Sequence, residues 1–123
     1  MSGSGHVAIL VVDDEPDALF LFKVIFEREG YTVVQAAHGA EALELIQSHA
    51  VDLIVTDLMM PVMDGAQLID RLRSDPGTSR IPIVLVSANP SMDLGADAVL
   101  GKPFRPTDIL RVVGELVESV RDG

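Results

Sequence analysis

Val7-Ala8-Ile9-Leu10-Val11-Val12 runs without a polar break into Asp13-Asp14-Glu15-Pro16, and this stretch decides the fold. Six consecutive apolar residues suit a parallel strand covered on both faces. Pro16 suits a first helical turn, where its missing N–H costs nothing. The same grammar recurs down the chain. Leu53 to Thr56 ends on Asp57, Ile83 to Val86 ends on Ser87, and Ala98 to Leu100 reaches Lys102 after Gly101. In an open parallel sheet the strand C-termini line one edge, and ligands collect there. Three carboxylates, a hydroxyl and an ammonium would therefore share that edge.

Working outward, strands are predicted at Val7–Val12, Thr32–Ala36, Asp52–Thr56, Ile83–Val86 and Ala98–Leu100. Helices are predicted at Pro16–Glu29, Ala40–Ser48, Ala66–Ser74 and Pro106–Val120. Gly30 suits the C-terminal cap of the first helix. Pro61 and Asp64-Gly65 punctuate the loop after Asp57, and Asp75-Pro76-Gly77 marks a turn. Ile109, Val112, Val113, Leu116 and Val120 recur at helical spacing. Strands alternating with helices imply an α/β, doubly wound, five-stranded parallel sheet. One crossover breaks the pattern. Only nine residues, Ala88 to Ala96, separate the last two strands, and Pro90 is among them. A parallel crossover usually takes about a dozen residues or more. The helix expected there is shortened or missing. Val84, Val86 and Val99 are then expected to lose cover, to be supplied by a second molecule, a rearranged loop or a partner. On the first helix, Ala18, Leu19, Phe22, Ile25 and Phe26 share an inward face, leaving Phe20 and Val24 outward.

Composition narrows the function. A chain of 123 residues is one domain, read as 6–123, with residues 1–5 a frayed terminus or a cloning remnant. The absence of cysteine excludes a disulfide framework and a thiolate metal site. A net charge of −10 argues against a nucleic-acid surface and fits a soluble cytoplasmic protein. No secretory signal is evident. The longest apolar run, Ala18 to Phe26, is broken by Lys23 and falls short of the roughly 18 residues a membrane span needs. His6, His38 and His49 are scattered and read as surface residues.

The edge residues have a common chemistry. Mg²⁺ takes hard oxygen ligands and keeps several waters, so a few carboxylates suffice to hold it. Clustered carboxylates repel one another unless a cation is near. Lys102 offers a point charge to a phosphoryl oxygen, and Ser87 offers a hydroxyl. A carboxylate can itself be the nucleophile in phosphoryl transfer, where catalysis is mostly positioning and charge neutralisation. Each residue has a plainer reading: acids favour helix N-termini, Asp57 caps a strand, Asp64-Gly65 is a turn, and Met59, Met60 and Met63 pack a loop.

Four blocks together carry a resemblance. Val11-Val12-Asp13-Asp14-Glu15-Pro16, Asp57-Leu58-Met59-Met60-Pro61-Val62-Met63-Asp64-Gly65, Val84-Leu85-Val86-Ser87-Ala88 and Gly101-Lys102-Pro103-Phe104 resemble, in order, the receiver domain of the response regulators of two-component signalling. The resemblance implies the flavodoxin-like strand order 2-1-3-4-5 seen in chemotaxis receivers. It implies Asp57 as phosphoacceptor, with Ser87 and Lys102 contacting the phosphoryl group. It implies Mg²⁺ bound by Asp13, mainly through water, and by Asp14, Asp57 and the backbone carbonyl of Met59. Met59 and Asn89 would tune the phosphoryl lifetime, and the Lys102–Pro103 bond would be cis. The implied partners are a sensor histidine kinase or histidine phosphotransfer protein and a downstream protein, with neither nucleic acid nor membrane. A homodimer through the strand 4, strand 5 and last-helix region is a further option. Such a domain catalyses only its own phosphorylation and dephosphorylation, and would be stand-alone or excised from a longer protein.

Two features depart from the family pattern. Val99 stands where an aromatic switch residue is usual, and the crossover after Ser87 is too short for a full helix. Both favour a rival, a pseudo-receiver that binds partners without productive phosphorylation. The intact Asp13, Asp14, Asp57, Ser87 and Lys102 favour a working switch. A small-molecule aspartyl-phosphate phosphatase would need an acid–base group and a substrate cap, and neither is evident. A flavin binder would need a phosphate loop after the first strand, which is also missing.

Overall fold

A computed structural model describes residues 6–122, with the side chains of 120–122 outside that description, so the expectations for residues 1–5 and for Val120 lie outside the described residues. Five strands, β1 (Ala8–Val12), β2 (Thr32–Ala36), β3 (Leu53–Asp57), β4 (Ile83–Ser87) and β5 (Ala98–Gly101), form one parallel sheet in the order β2-β1-β3-β4-β5. Among the described residues four helices, α1 (Pro16–Arg28), α2 (Gly39–Ser48), α3 (Gly65–Ser74) and α4 (Pro106–Asp122), cover it. The 2-1-3-4-5 topology is the expected one.

Period-two alternation along the strands divides the core. Ile9, Val11, Leu53, Val55, Val84 and Val86 pack with Phe22, Ile25 and Phe26 of α1 and Ile109, Val112, Val113 and Val117 of α4. Leu10, Val12, Ile54, Ile83 and Leu85 face the other way, onto Ala42 of α2 and Leu68, Ile69 and Leu72 of α3. Both sides being apolar explains why β1 reads as a continuous apolar run. Phe20 is 67% exposed, as the helical wheel predicts.

α1 ends where Gly30 takes the left-handed region at φ +86°. There the Gly30 N–H donates to Glu27 O and the Tyr31 N–H to Phe26 O, while the Tyr31 ring meets the Phe26 ring edge-on. This is a Schellman closure with its hydrophobic contact, and a Cβ at position 30 would disfavour that backbone.

Residues 88–97 form turns, and among the described residues no helix joins β4 to β5. The expectation about cover needs correction. Val84 and Val86 do not face this gap, because they lie on the α1 and α4 side and are buried. The residues facing the short segment are Leu85 and Val99, with Leu94 and Ala96 of the segment packed on the same side. Leu85 is fully buried. Leu94 and Ala96 of the short segment supply part of the cover on that side. Among the described residues no helix is long and apolar enough to cross a membrane.

Candidate functional site

Each sequence-predicted side chain except Met59 sits at or just beyond a strand C-terminus. Asp13 follows β1, where its N–H donates to Ala36 O at 3.0 Å and its Oδ1 accepts the Glu15 N–H at 3.0 Å. Asp13 is buried and Asp14 exposed. Asp57 is the last residue of β3, 8% exposed, between β1 and β4 in the sheet. A carboxylate oxygen from each of Asp13, Asp14 and Asp57 lies within 4.8 Å of the others. Three convergent carboxylates form a hard donor set that fits a divalent cation such as Mg²⁺.

Lys102 follows β5, held by its N–H donating to Ser87 O at 2.9 Å. Its Nζ lies 2.7 Å from Asp57 Oδ1. Phe104, two residues on, stacks on Phe22 of α1 at 5.6 Å between ring centroids. The Lys102–Pro103 bond between them is cis, as the resemblance implies. Phe104 thus anchors on α1 the turn whose lysine meets Asp57.

Burial pushes the Asp13 carboxyl above its ordinary range, and Asp57 and Asp14 add to the rise against the Glu15 N–H bond and Lys102. For Lys102, burial pulls down, but the Asp57 hydrogen bond and the charges of Asp57, Asp13 and Glu15 outweigh it, so its ammonium is held above the usual lysine value. The site therefore keeps its cation charged while its carboxylates crowd one another.

Ser87 ends β4, buried, but its hydroxyl is not on Asp57. Ser87 Oγ accepts the Asn89 N–H at 3.0 Å and donates to Asn89 O at 3.2 Å. Ser87, Lys102, Asp57, Asp14 and Met59 line one open cleft of about 420 Å³, with Glu15 and Ala88.

The loop after Asp57 shows what the Asp64-Gly65 signal was for. Asp64 caps α3 by accepting the Gln67 N–H at 2.9 Å, while Gln67 Oε1 accepts the Asp64 N–H at 3.1 Å. This capping box satisfies donors the helix start leaves open. Gly65 is needed for close approach. Its N–H donates to Leu58 O at 2.8 Å, and a Cβ there would stand 2.5 Å from Asp57 O. Val62 has φ +67° within a γ-turn closed by the Met63 N–H on Pro61 O at 2.7 Å. A β-branched residue there is strained. In sequence Gly65 reads as an ordinary turn glycine, and nothing there marks Glu15 as a cleft residue. His38 reads as a plain surface residue, whereas it caps α2 by accepting the Glu41 N–H at 3.2 Å.

The family profile for the response regulator receiver domain matches residues 9–114. The response regulator GtcR of Aneurinibacillus migulanus is 38% identical over 116 residues, covering 88% of this chain and 47% of that protein. The chain thus spans about half the length of that relative. The signal receiver domain of a signal transduction histidine kinase from Syntrophus aciditrophicus superposes with a TM-score of 0.89 at 31% identity, over 95% of this chain and 94% of that one. The receiver domain of a sensor histidine kinase from Pseudomonas aeruginosa, solved with magnesium coordinated in its active site cleft, gives a TM-score of 0.85 at 26% identity, over 93% and 99%.

Proposed function

The chain belongs to the response regulator receiver domain family, and from that membership we propose that it is a working phosphoacceptor switch with Asp57 as acceptor. The observation that carries this reading is the convergence at one sheet edge of three carboxylates with an ammonium 2.7 Å from Asp57. An inert interaction module has no need of buried, mutually repelling acids beside a fastened lysine.

In the proposed reaction an Asp57 carboxylate oxygen attacks the phosphorus of a phosphohistidine on a histidine kinase or phosphotransfer protein. The P–N bond breaks, and its electron pair stays on the imidazole, which takes up a proton. Asp13, Asp14, Asp57 and the Met59 carbonyl would hold Mg²⁺. When bound, that ion neutralises charge on the phosphoryl oxygens. Lys102 supplies further positive charge, its ammonium passing from the Asp57 carboxylate to the transferred group. Ser87 donates its hydroxyl to a phosphoryl oxygen. Met59, 76% exposed and lining the cleft, and Asn89 would set how readily water reaches the acyl phosphate. Dephosphorylation by that water resets the switch, so the chain acts catalytically only on itself. Donor and downstream protein would meet it in the cytoplasm.

Incubation of Asp57→Asn and Asp14→Ala with acetyl phosphate and Mg²⁺ tests the roles. Asp57→Asn should gain no phosphoryl mass, and Asp14→Ala should lose labelling at metal concentrations that saturate the parent. Full labelling of Asp57→Asn would move the acceptor elsewhere. An unlabelled parent would leave a pseudo-receiver.

A further inference from the structure

Gly39 opens α2 at a place where a side chain has no room. Its φ lies outside the left-handed region, so backbone conformation does not call for glycine there. The constraint is space. A Cβ at position 39 would stand 2.7 Å from Met63 Cγ, 2.9 Å from Met63 Sδ and 3.0 Å from Met63 Cβ. The Gly39 N–H also donates to Met63 O at 3.1 Å. The loop after Asp57 is thus seated on the first turn of α2, a helix that carries none of the cleft residues.

That seat matters because the loop has little else to hold it. Met59 is exposed, and among the described residues Met59 and Met60 make no hydrogen bond. Val62 sits at φ +67°, and such strain persists only where the surroundings over-determine it. On one side the Gly65 N–H closes the loop on Leu58 O. On the other, the Met63 side chain packs on the α2 and α3 side of the core, which includes Ala42. Met63 cannot give way to a new Cβ without leaving that packing and drawing the loop with it.

The first turn of α2 is itself fixed. His38 Nδ1 accepts the Glu41 N–H at 3.2 Å, and Glu41 Oε1 accepts the Ala37 N–H in return. His38 O accepts the Ala42 N–H at 3.1 Å, and Ala42 is fully buried. A reciprocal arrangement of this kind satisfies donors that a helix start leaves open. Met63 therefore rests on a capped turn rather than on a fraying end.

The structure assigns Gly39 a positioning role: its missing side chain lets Met63 seat on α2, and that seat sets the Met59–Pro61 stretch and so the Met59 carbonyl that would help to hold Mg²⁺. Gly39 acts only through Met63 and lines no part of the cleft. The inference rests on the Mg²⁺ reading of the site, and its test separates the two.

Amide signals are followed by NMR as MgCl₂ is added to the metal-free protein, which yields the dissociation constant and the state of the metal-free loop together. Both are properties of the folded protein, so a loss of global stability alone moves neither. Loss of an outer partner of a metal ligand costs about 10–100-fold in affinity. Gly39 stands one step further out, so Gly39→Ala should weaken Mg²⁺ binding by about three- to tenfold. The metal-free Leu58 and Met59 signals should move with it. Gly114→Ala, whose Cβ meets open space, should change neither. In a Met63→Ala background only the 3.0 Å contact remains, and Gly39→Ala should then cost less than about twofold, the range in which independent sites add. If Gly39→Ala does not fold, His38→Ala loosens the same turn without adding an atom. It should weaken binding, and His38→Asn, which can cap, should restore it. Parent-like Mg²⁺ binding by Gly39→Ala, or by His38→Ala in its place, would overturn the positioning role and leave the metal site standing. Equal weakening with and without the Met63 side chain would overturn it too, because the effect would not pass through Met63. A parent that binds no Mg²⁺ would remove the metal reading and the positioning role with it.

Discussion

One substitution at two glycines separates steric need from mere tolerance. At Gly65 a new Cβ would stand 2.5 Å from Asp57 O and 2.9 Å from the Leu58 Cα. Both are backbone atoms, and neither can swing aside as a flexible side chain would. At Gly114, inside α4, a new Cβ meets nothing within 4 Å. Alanine is worth about 1 kcal/mol over glycine in a helix interior, so Gly114→Ala should stabilise by about that much. For a domain of this size that is a rise of about 4 °C in Tm. Gly65→Ala has less to gain at the first helical position and must overcome an overpacking cost of about 1–3 kcal/mol. We expect net destabilisation of about 1–2 kcal/mol, a fall of about 1 M in the urea midpoint. Because the clash falls on the carbonyl of Asp57, acetyl phosphate labelling should slow as well. Urea unfolding of both variants, with labelling rates measured on the folded proteins, checks the pair. If Gly65→Ala is as stable as Gly114→Ala and labels at the parent rate, the close approach of α3 to the Asp57 loop is not as described.

Three further outcomes follow from other parts of the chain. The Asp13 carboxyl has a raised pKa, so its protonated form is favoured on folding; its contribution to stability is present below the unfolded pKa and lost as pH rises through the folded one. Without metal, Asp13→Asn should therefore unfold at higher urea than the parent at neutral pH, an advantage that shrinks on acidification through the carboxylate range; an advantage constant with pH would contradict this. Val62, at φ +67° and 78% exposed, should be replaced by glycine with a net gain of about 1 kcal/mol, read by thermal unfolding; a loss would mean that the strain is absent. Phe20→Ser, at an outward position of α1, should slow phosphotransfer from a protein donor but not from acetyl phosphate; equal slowing with both would point to damaged folding rather than to lost docking.

The topology was legible because β1, β3 and β4 read as apolar runs ending on polar residues, Asp13, Asp57 and Ser87. Placing Asp13, Asp57, Ser87 and Lys102 at one edge needed only the parallel sheet. The sides of the sheet were not legible in the same way. Val84 and Leu85 are equally apolar, and which of them lies under α4 depends on the phase of the strand, which a run without alternation hides. Gly65 could not be told from a turn glycine because its requirement is a tertiary contact with Asp57 and Leu58. The bonds between the Ser87 hydroxyl and Asn89, two residues on, are local ones that serine readily makes, and no pattern in the sequence marks them. The grip of Arg73 on residues 79, 81, 95 and 97 joins α3 to two separate stretches, and no local pattern reports it.

The account stands most directly on where the phosphoryl group goes. Intact protein would be incubated with acetyl phosphate, with Mg²⁺ or with a chelator, and any added phosphoryl group located by fragmentation mass spectrometry. The account predicts one phosphoryl group, on Asp57, formed with Mg²⁺ and absent with the chelator. A phosphoryl group on another residue, or none in the presence of Mg²⁺, would contradict it.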